Sequence, residues 1–246
     1  MDRMLYIAMS GARENMHAQA VNAHNIANVS TVGFKATLDA YTNHPVHGPV
    51  YDSRVYTQAQ SLSTDFSPGP MLTTGRDLDV AIQGDGWIAV QTPEGGEGYT
   101  RAGDLQVDAF GLLTTGTGLP VMGEAGPIAI PPDQQFEVGN DGTITIRPMG
   151  GDANALIVID RIKLVNPDIT ELERGDDNLM RRADGGVEPA DANVRLVSGV
   201  LEGSNVSTAA SLVKMIETSR QFEMQIKMMK TAEEIDQSTA KLLALS

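Results

Sequence analysis

Proline placement constrains this chain more than any other feature. All 12 prolines lie between residues 45 and 189, so residues 1–44 and 190–246 contain none, and residues 204–246 lack glycine as well. Proline removes a backbone donor and clashes with the preceding helical turn, and glycine in a helix is entropically costly. Both ends can therefore form long helices, and the middle cannot. The pattern predicts one domain bracketed by two helices.

The apolar spacing of the ends agrees. Leu5, Met9, Ala12, Met16, Ala23 and Ile26 recur at steps of three and four, with Gln19 in the remaining slot, which places them in one narrow stripe of a helix over about residues 3–28. Near the C-terminus Leu212, Met215, Ser219, Phe222, Ile226 and Met229 repeat the pattern, and Ala232, Ile235, Thr239 and Leu242 continue it with a slight phase shift. At 1.5 Å per residue the two rods would measure roughly 39 Å and roughly 58 Å, too long for the core of one compact domain. Asn28 stands where the first helix should stop, Gly33 permits the turn after it, and Asn205 or Ser207 can cap the second helix. The first stripe is mostly alanine and methionine, interrupted by Ser10 and Gly11, so it buries little area per turn. Such a helix is marginal alone and needs partners; pairing within the chain and assembly with other copies both supply them.

Charge follows the same three-part division. The formal net charge is -14, yet residues 1–35 carry three basic and two acidic groups and residues 207–246 carry five of each. The acidity sits in the middle. An acidic middle repels phosphates, and no basic stripe with interleaved aromatics occurs, which argues against nucleic acid as a partner. Near-neutral ends can pack beside copies of themselves without accumulating repulsion. The chain has no cysteine, which excludes disulfides, thiolate metal sites and thiol nucleophiles. No segment reads as a membrane span, and the start Met1-Asp2-Arg3-Met4-Leu5 lacks the features of a cleavable signal, so export would use another route.

The middle reads as antiparallel β-structure, a sandwich or distorted barrel. Short apolar or alternating runs (Asp79–Ile82, Trp87–Val90, Leu105–Val107, Ile128–Ile130, Thr143–Ile146, Ile157–Ile159) are separated by turn signals at Asp85-Gly86, Gly95-Gly96, Phe110-Gly111, Asp141-Gly142, Gly150-Gly151 and Asp184-Gly185-Gly186. The expected division is a helix and exit turn over 1–35, an extended connector with a hairpin over 36–75, a β-rich domain over 76–203 and a second helix over 204–246.

Nothing in this domain reads as a catalytic or cofactor site. Gly116-Thr117-Gly118 lacks the third glycine and following helix of a phosphate loop and reads as a hairpin turn. His44 and His47 flank Pro45 with no further ligand nearby and read as loop histidines; Asp104, Asp108 and Asp141 beside glycines read as turn formers rather than a calcium loop. The expectation is therefore no metal, no cofactor and no enzyme.

Several motifs together carry a resemblance. Ser10-Gly11-Ala12 with Asn25-Ile26-Ala27-Asn28-Val29-Ser30-Thr31-Val32-Gly33-Phe34-Lys35 resembles the N-terminal signature of the bacterial flagellar axial proteins, which build rod and hook. The run from Thr74 to Gly86, Tyr99-Thr100-Arg101-Ala102-Gly103, Leu201-Glu202-Gly203-Ser204-Asn205-Val206, Met215-Ile216 and Arg220-Gln221-Phe222-Glu223 resemble its central and C-terminal motifs, so the similarity spans the chain. Trp87-Ile88, Arg220-Gln221-Phe222 and the short length are most similar to proximal-rod members.

The resemblance implies that the terminal helices pair as a coiled-coil-like inner domain that packs with neighbouring subunits into a helical tube. The β-domain would face outward, and the subunit would leave uncleaved through the flagellar type III export apparatus. In the assembled rod it would cross the periplasm and carry motor torque. Partners would be other rod subunits and the export apparatus, with no membrane insertion. Interface anchors by position would be Leu5, Met9, Ala12, Met16, Ala23, Ile26, Leu212, Met215, Ile216, Phe222, Ile226 and Met229. Asn25, Asn28, Thr31, Gly33 and Phe34 would shape the helix exit, and Asn205 the return. A distal-rod subunit, or a rod-associated peptidoglycan hydrolase with a raised-pKa carboxyl group, is the alternative.

Overall fold

The computed structural model describes residues 2–45, 55–131, 135–147 and 157–244 of the chain. In chain order these form α1 (Asp2–Ala27), β1 (Thr37–Pro45), β2 (Val55–Thr64), β3 (Met71–Thr73), β4 (Val80–Gln83), β5 (Trp87–Gln91), β6 (Glu97–Thr100), β7 (Leu105–Val107) and β8 (Leu113–Thr115). They continue with β9 (Gln135–Val138), β10 (Thr143–Arg147), β11 (Ile157–Arg161), β12 (Leu164–Val165), β13 (Leu172–Arg174), β14 (Met180–Arg182), β15 (Arg195–Ser198), β16 (Val200–Glu202) and α2 (Thr208–Ala244). The chain is mainly β with a helix at each end, and it divides into two compact units.

The first unit holds α1, the β1–β2 hairpin and α2, covering residues 1–29, 36–66 and 206–246. The expected connector thus divides near Phe66, its first part belonging with the helices and its last part with the β-rich unit. The two helices pair antiparallel. Asn22 Nδ2 donates to the Ser211 carbonyl at 2.7 Å, and Gly11 lies against the Gln225 side chain, whose Nε2 would stand 2.9 Å from any added Cβ. The α1 side of this seam is Ala8, Gly11, Glu14, Ala18, Val21 and Asn22; the α2 side is Ser211, Met215, Thr218, Phe222, Gln225, Met229 and Ala232. On α2 the steps of four and three continue through Asp236 and Thr239, so no phase shift occurs. The α2 seam shares Met215, Phe222 and Met229 with the expected stripe and replaces Leu212, Ser219 and Ile226 by the preceding residue each time. Small side chains explain the choice: glycine, alanine, serine and threonine let two backbones approach closely, which leaves Leu5, Met9, Met16 and Leu212 outside while Met215, Phe222 and Met229 stay half-buried. Each buried methyl stabilises the pair by under about 1 kcal/mol.

Helix ends follow local chemistry. The Asn28 amide donates to the His24 and Asn25 carbonyls, its Nδ2 bonds the His24 carbonyl at 3.0 Å, and α1 stops there. Ser207 caps α2, its Oγ accepting from the Ala210 amide at 3.4 Å. Asn205, the other candidate cap, instead donates to the Ser67 carbonyl.

The second unit, residues 30–35 and 67–205, wraps several small antiparallel sheets around one apolar core. Its widest sheet runs β12-β5-β6-β14-β13, a second runs β11-β10-β9, and β15-β4, β16-β3 and β7-β8 are two-stranded. Val80, Ile82, Ile88, Val90, Leu105, Leu113, Val121, Ile144 and Leu196 are essentially inaccessible and touch across these sheets. Of the expected strands, Ile128–Ile130 contributes only an isolated bridge, Leu112 to Ala129. Gly118 closes the expected turn, donating to the Thr115 carbonyl at 2.8 Å. His44 lies on β1 rather than in a loop; His47 and the Gly150-Gly151 turn lie outside the described residues.

Candidate functional site

Three segments far apart in sequence converge on Glu202, which is completely buried. Its Oε1 accepts from Lys35 Nζ at 2.7 Å and from the Gly69 amide at 2.9 Å, and its Oε2 accepts from Arg101 Nη1 at 3.0 Å. Lys35 and Arg101 are themselves 2% and 6% exposed. Lys35 also donates to the Ser67 carbonyl at 2.8 Å, and Arg101 donates to the Gly84 carbonyl at 2.8 Å while its guanidinium lies 5.4 Å from the Trp87 ring centre. Burial pushes the Glu202 carboxyl upward, but the hydrogen bonds from Lys35 and Gly69 and the charges of Lys35 and Arg101 outweigh it, leaving the carboxyl below its ordinary range. Lys35, Arg101 and Glu202 each belong to one of the sequence motifs that carry the flagellar resemblance. None of the three stood among the expected site residues, although a charged residue inside an otherwise small or apolar motif was the available signal.

The backbone reinforces the cluster. The Gly33 amide donates to the Glu202 carbonyl at 2.8 Å, and the Asn205 amide donates to the Phe34 carbonyl at 3.3 Å, so the segment leaving α1 and the segment approaching α2 are held side by side within this unit. Gly33 has φ +67, and a Cβ there would lie 2.2 Å from the Arg101 carbonyl carbon; only glycine fits. Phe34 is buried under Arg174, whose guanidinium is 5.0 Å from the ring centre and which also donates to the Lys35 carbonyl. Thr31 stands exposed on the turn before Gly33.

On the helices, Ala12 and Asn25 are buried within the chain. Asn25 exchanges two hydrogen bonds with Thr37 across the exit turn, Nδ2 to the Thr37 carbonyl at 2.8 Å and the Thr37 amide to Oδ1 at 2.9 Å. Several of the larger apolar residues are exposed. Leu5, Met9 and Met16 face outward on α1, as do Leu212 and Ile216 on α2, and Ala23 is exposed beside them. Ile26 and Ile226 are half-buried at the flanks. Tyr6, Val213, Met224, Met228 and Ile235 add to the outward apolar surface. Beside the seam runs a groove of about 830 Å³ with Gly11, Ala18, Met224 and Met228 in its wall and Glu14, Lys214, Glu217 and Lys227 around it.

Among the described residues of the β-rich unit, Asp104 is the carboxyl clearly pushed upward, raised first by burial and further by the charge of Asp79. Asp104 is a packing residue rather than a simple turn former: it lies over Gly116, where a Cβ would fall 1.8 Å from its Oδ2, and it accepts from the Gly116 backbone. Asp108 and Asp141 are turn formers, Asp108 Oδ1 accepting from the Phe110 and Leu112 amides at 2.8 Å and Asp141 Oδ1 from the Thr143 amide at 3.1 Å. Among the described residues no three His, Cys, Asp or Glu side chains gather as a metal site, and no helix is long and apolar enough to cross a membrane.

Residues 5–35 match the flagella basal body rod protein family, residues 81–146 the flagellar hook protein FlgE/F/G D1 domain, and residues 197–242 the flagellar basal body rod FlgEFG protein C-terminal family. The chain is 44% identical over 252 residues to flagellar basal-body rod protein FlgF of Escherichia coli strain K12, covering 100% of both chains. It is 41% identical, at the same coverage, to FlgF of Salmonella typhimurium, and 33% identical over 263 residues to rod protein FlgG of Bacillus subtilis, covering 98% of each. The family is a structural one and not a class of enzymes. The chain belongs to the flagellar basal-body rod proteins of the FlgF type.

Proposed function

We propose that this rod subunit polymerises through the outward apolar faces of α1 and α2, forming the wall of a helical tube that carries motor torque across the periplasm. The observation that carries the reading is the packing of the helix pair: mostly small and polar residues fill the α1 side of the seam, while Met16, 59% exposed, and Ile216, 55% exposed, remain outside with other large apolar side chains. Monomeric proteins rarely leave so much contiguous apolar surface in water. The near-neutral charge of both ends lets copies approach, and the groove beside Gly11 and Ala18 accepts a ridge from a neighbouring helix. In this reading Leu5, Met9, Met16, Ala23, Leu212 and Ile216 make subunit contacts, with Ile26 and Ile226 at their edges, while Ala12, Met215, Phe222 and Met229 are taken up in packing within the chain. Asn25, Asn28, Thr31, Gly33, Phe34 and Asn205 hold the segments at the helix bases. Other rod subunits are the partners, and the chain reaches them through the flagellar export apparatus without cleavage.

Ile216→Lys tests this. The side chain is exposed, so the isolated protein should melt as the parent does, while a charge buried in the tube wall costs several kcal/mol and should exclude the variant from purified basal bodies, leaving cells non-motile. Normal motility with the variant present in the rod would refute the interface.

A further inference from the structure

Asp39 on β1 is the polar group in the helical unit that the packing leaves least served. Its side chain is 2% exposed, and neither carboxylate oxygen accepts a hydrogen bond. Two basic groups flank it, His17 Nδ1 of α1 at 3.8 Å and Lys214 Nζ of α2 at 4.0 Å. Among the described residues this is the place where charged side chains of α1, β1 and α2 converge.

We propose that Asp39 determines the register of the two helices. The seam itself specifies register weakly. Ala8, Gly11, Ala18, Ser211, Thr218 and Ala232 are small and similar, and the larger Met215, Phe222 and Met229 are only half-buried and face a small-residue row on α1, so a slip of one turn replaces one shallow contact by another. The Asn22 bond to the Ser211 carbonyl does not discriminate either, because every helical residue offers a carbonyl. The Asn25–Thr37 pair fixes α1 to β1 but does not reach α2. Gln225 over Gly11 is a long flexible side chain at a notch, tolerant of displacement. Asp39 differs because, with α1 held to β1, only one register of α2 brings Lys214 to it; one turn to either side the same face offers Ala210, Ser211, Glu217 or Thr218. Burying a carboxylate without hydrogen bonds does not raise stability, and the best-attested use of such a group is to select one arrangement among near-equals.

The chain has no cysteine, so register can be read by labelling introduced ones. Nitroxides on Ala20→Cys and Lys230→Cys, both at exposed positions, report the distance along the helix pair by pulsed electron spin resonance on the full-length monomer. The otherwise unaltered chain should give one narrow maximum. Asp39→Leu should keep its helix content by circular dichroism yet show a second maximum displaced by about 5.4 Å, one helical turn. If Asp39→Leu unfolds the helices, Asp39→Asn, of the same shape, carries the same expectation. A single unshifted maximum in the neutral variants, a broad distribution with Asp39 intact, or unfolding of both variants overturns the proposal. Because the measurement is made on the monomer, its outcome is independent of whether the outward faces polymerise.

Discussion

Replacing Glu202 with glutamine removes the negative charge on which Lys35 and Arg101 converge and leaves both cations buried. The glutamine oxygen can still accept from the Gly69 amide or from Lys35, which stand at 2.9 and 2.7 Å from Oε1, but its amide group then points N–H donors at the Arg101 guanidinium. Breaking a buried ion pair from one side costs about 3 to 5 kcal/mol, a large part of the roughly 5 to 15 kcal/mol that holds a domain folded. At about 2 to 4 °C per kcal/mol for a unit of this size, the melting temperature should fall by about 10 °C. Trp87 is the chain's one tryptophan, is 5% exposed and lies under Arg101, so its fluorescence reports this unit directly. Adding Lys35→Met to Glu202→Gln removes one stranded cation and should recover part of the loss. The same geometry sets a pH dependence. A carboxyl whose folded value lies below its unfolded one contributes stability that is fully present above about pH 4.5 and lost as pH falls through the lowered value, and Glu202→Gln should flatten that acid limb. A shift under about 2 °C, or a double variant no better than the single one, would refute the account of the cluster as a charge-compensated core.

Other expectations follow from neighbouring geometry. Gly33→Ala forces a side chain into φ +67 and against the Arg101 backbone, and should cost at least about 2 kcal/mol, whereas Gly75→Ala, at φ +71 with nothing within 4 Å, should cost about 1 kcal/mol; paired thermal melts compare them. Asp104→Asn should raise the melting temperature at pH 7: a carboxyl with a raised folded value favours the fold only at low pH and opposes it once ionised, and the amide oxygen can still accept from Gly116. An unchanged or lower melting temperature would count against that reading. Asn25→Ala removes the two hydrogen bonds that Asn25 exchanges with the buried Thr37 backbone, a loss of about 1 to 3 kcal/mol that should appear as faster hydrogen exchange through α1 while the β-rich unit keeps its protection.

What was legible in the sequence is what short-range chemistry dictates. Absence of proline and a three-four spacing are enough to place two helices to within a few residues, because helix formation depends on neighbours four positions away. Alternating runs such as Thr143–Ile146 and glycine turns such as Asp141-Gly142 locate strands and hairpins for the same reason. The flagellar motifs made the family legible as well. Tertiary packing alone decided which face of each helix turns inward. On α1 the inward residues Gly11 and Ala18 stand two positions from Met9 and Met16, a rotation of about 200°, and close backbone approach favoured the small row over the apolar one. The convergence of Lys35, Arg101 and Glu202 was likewise invisible: the pairs are separated by 167 and 101 positions, and no local rule links them. A buried ion cluster exists only once the fold has excluded water from it, so its members read as ordinary surface charges until the chain has closed around them.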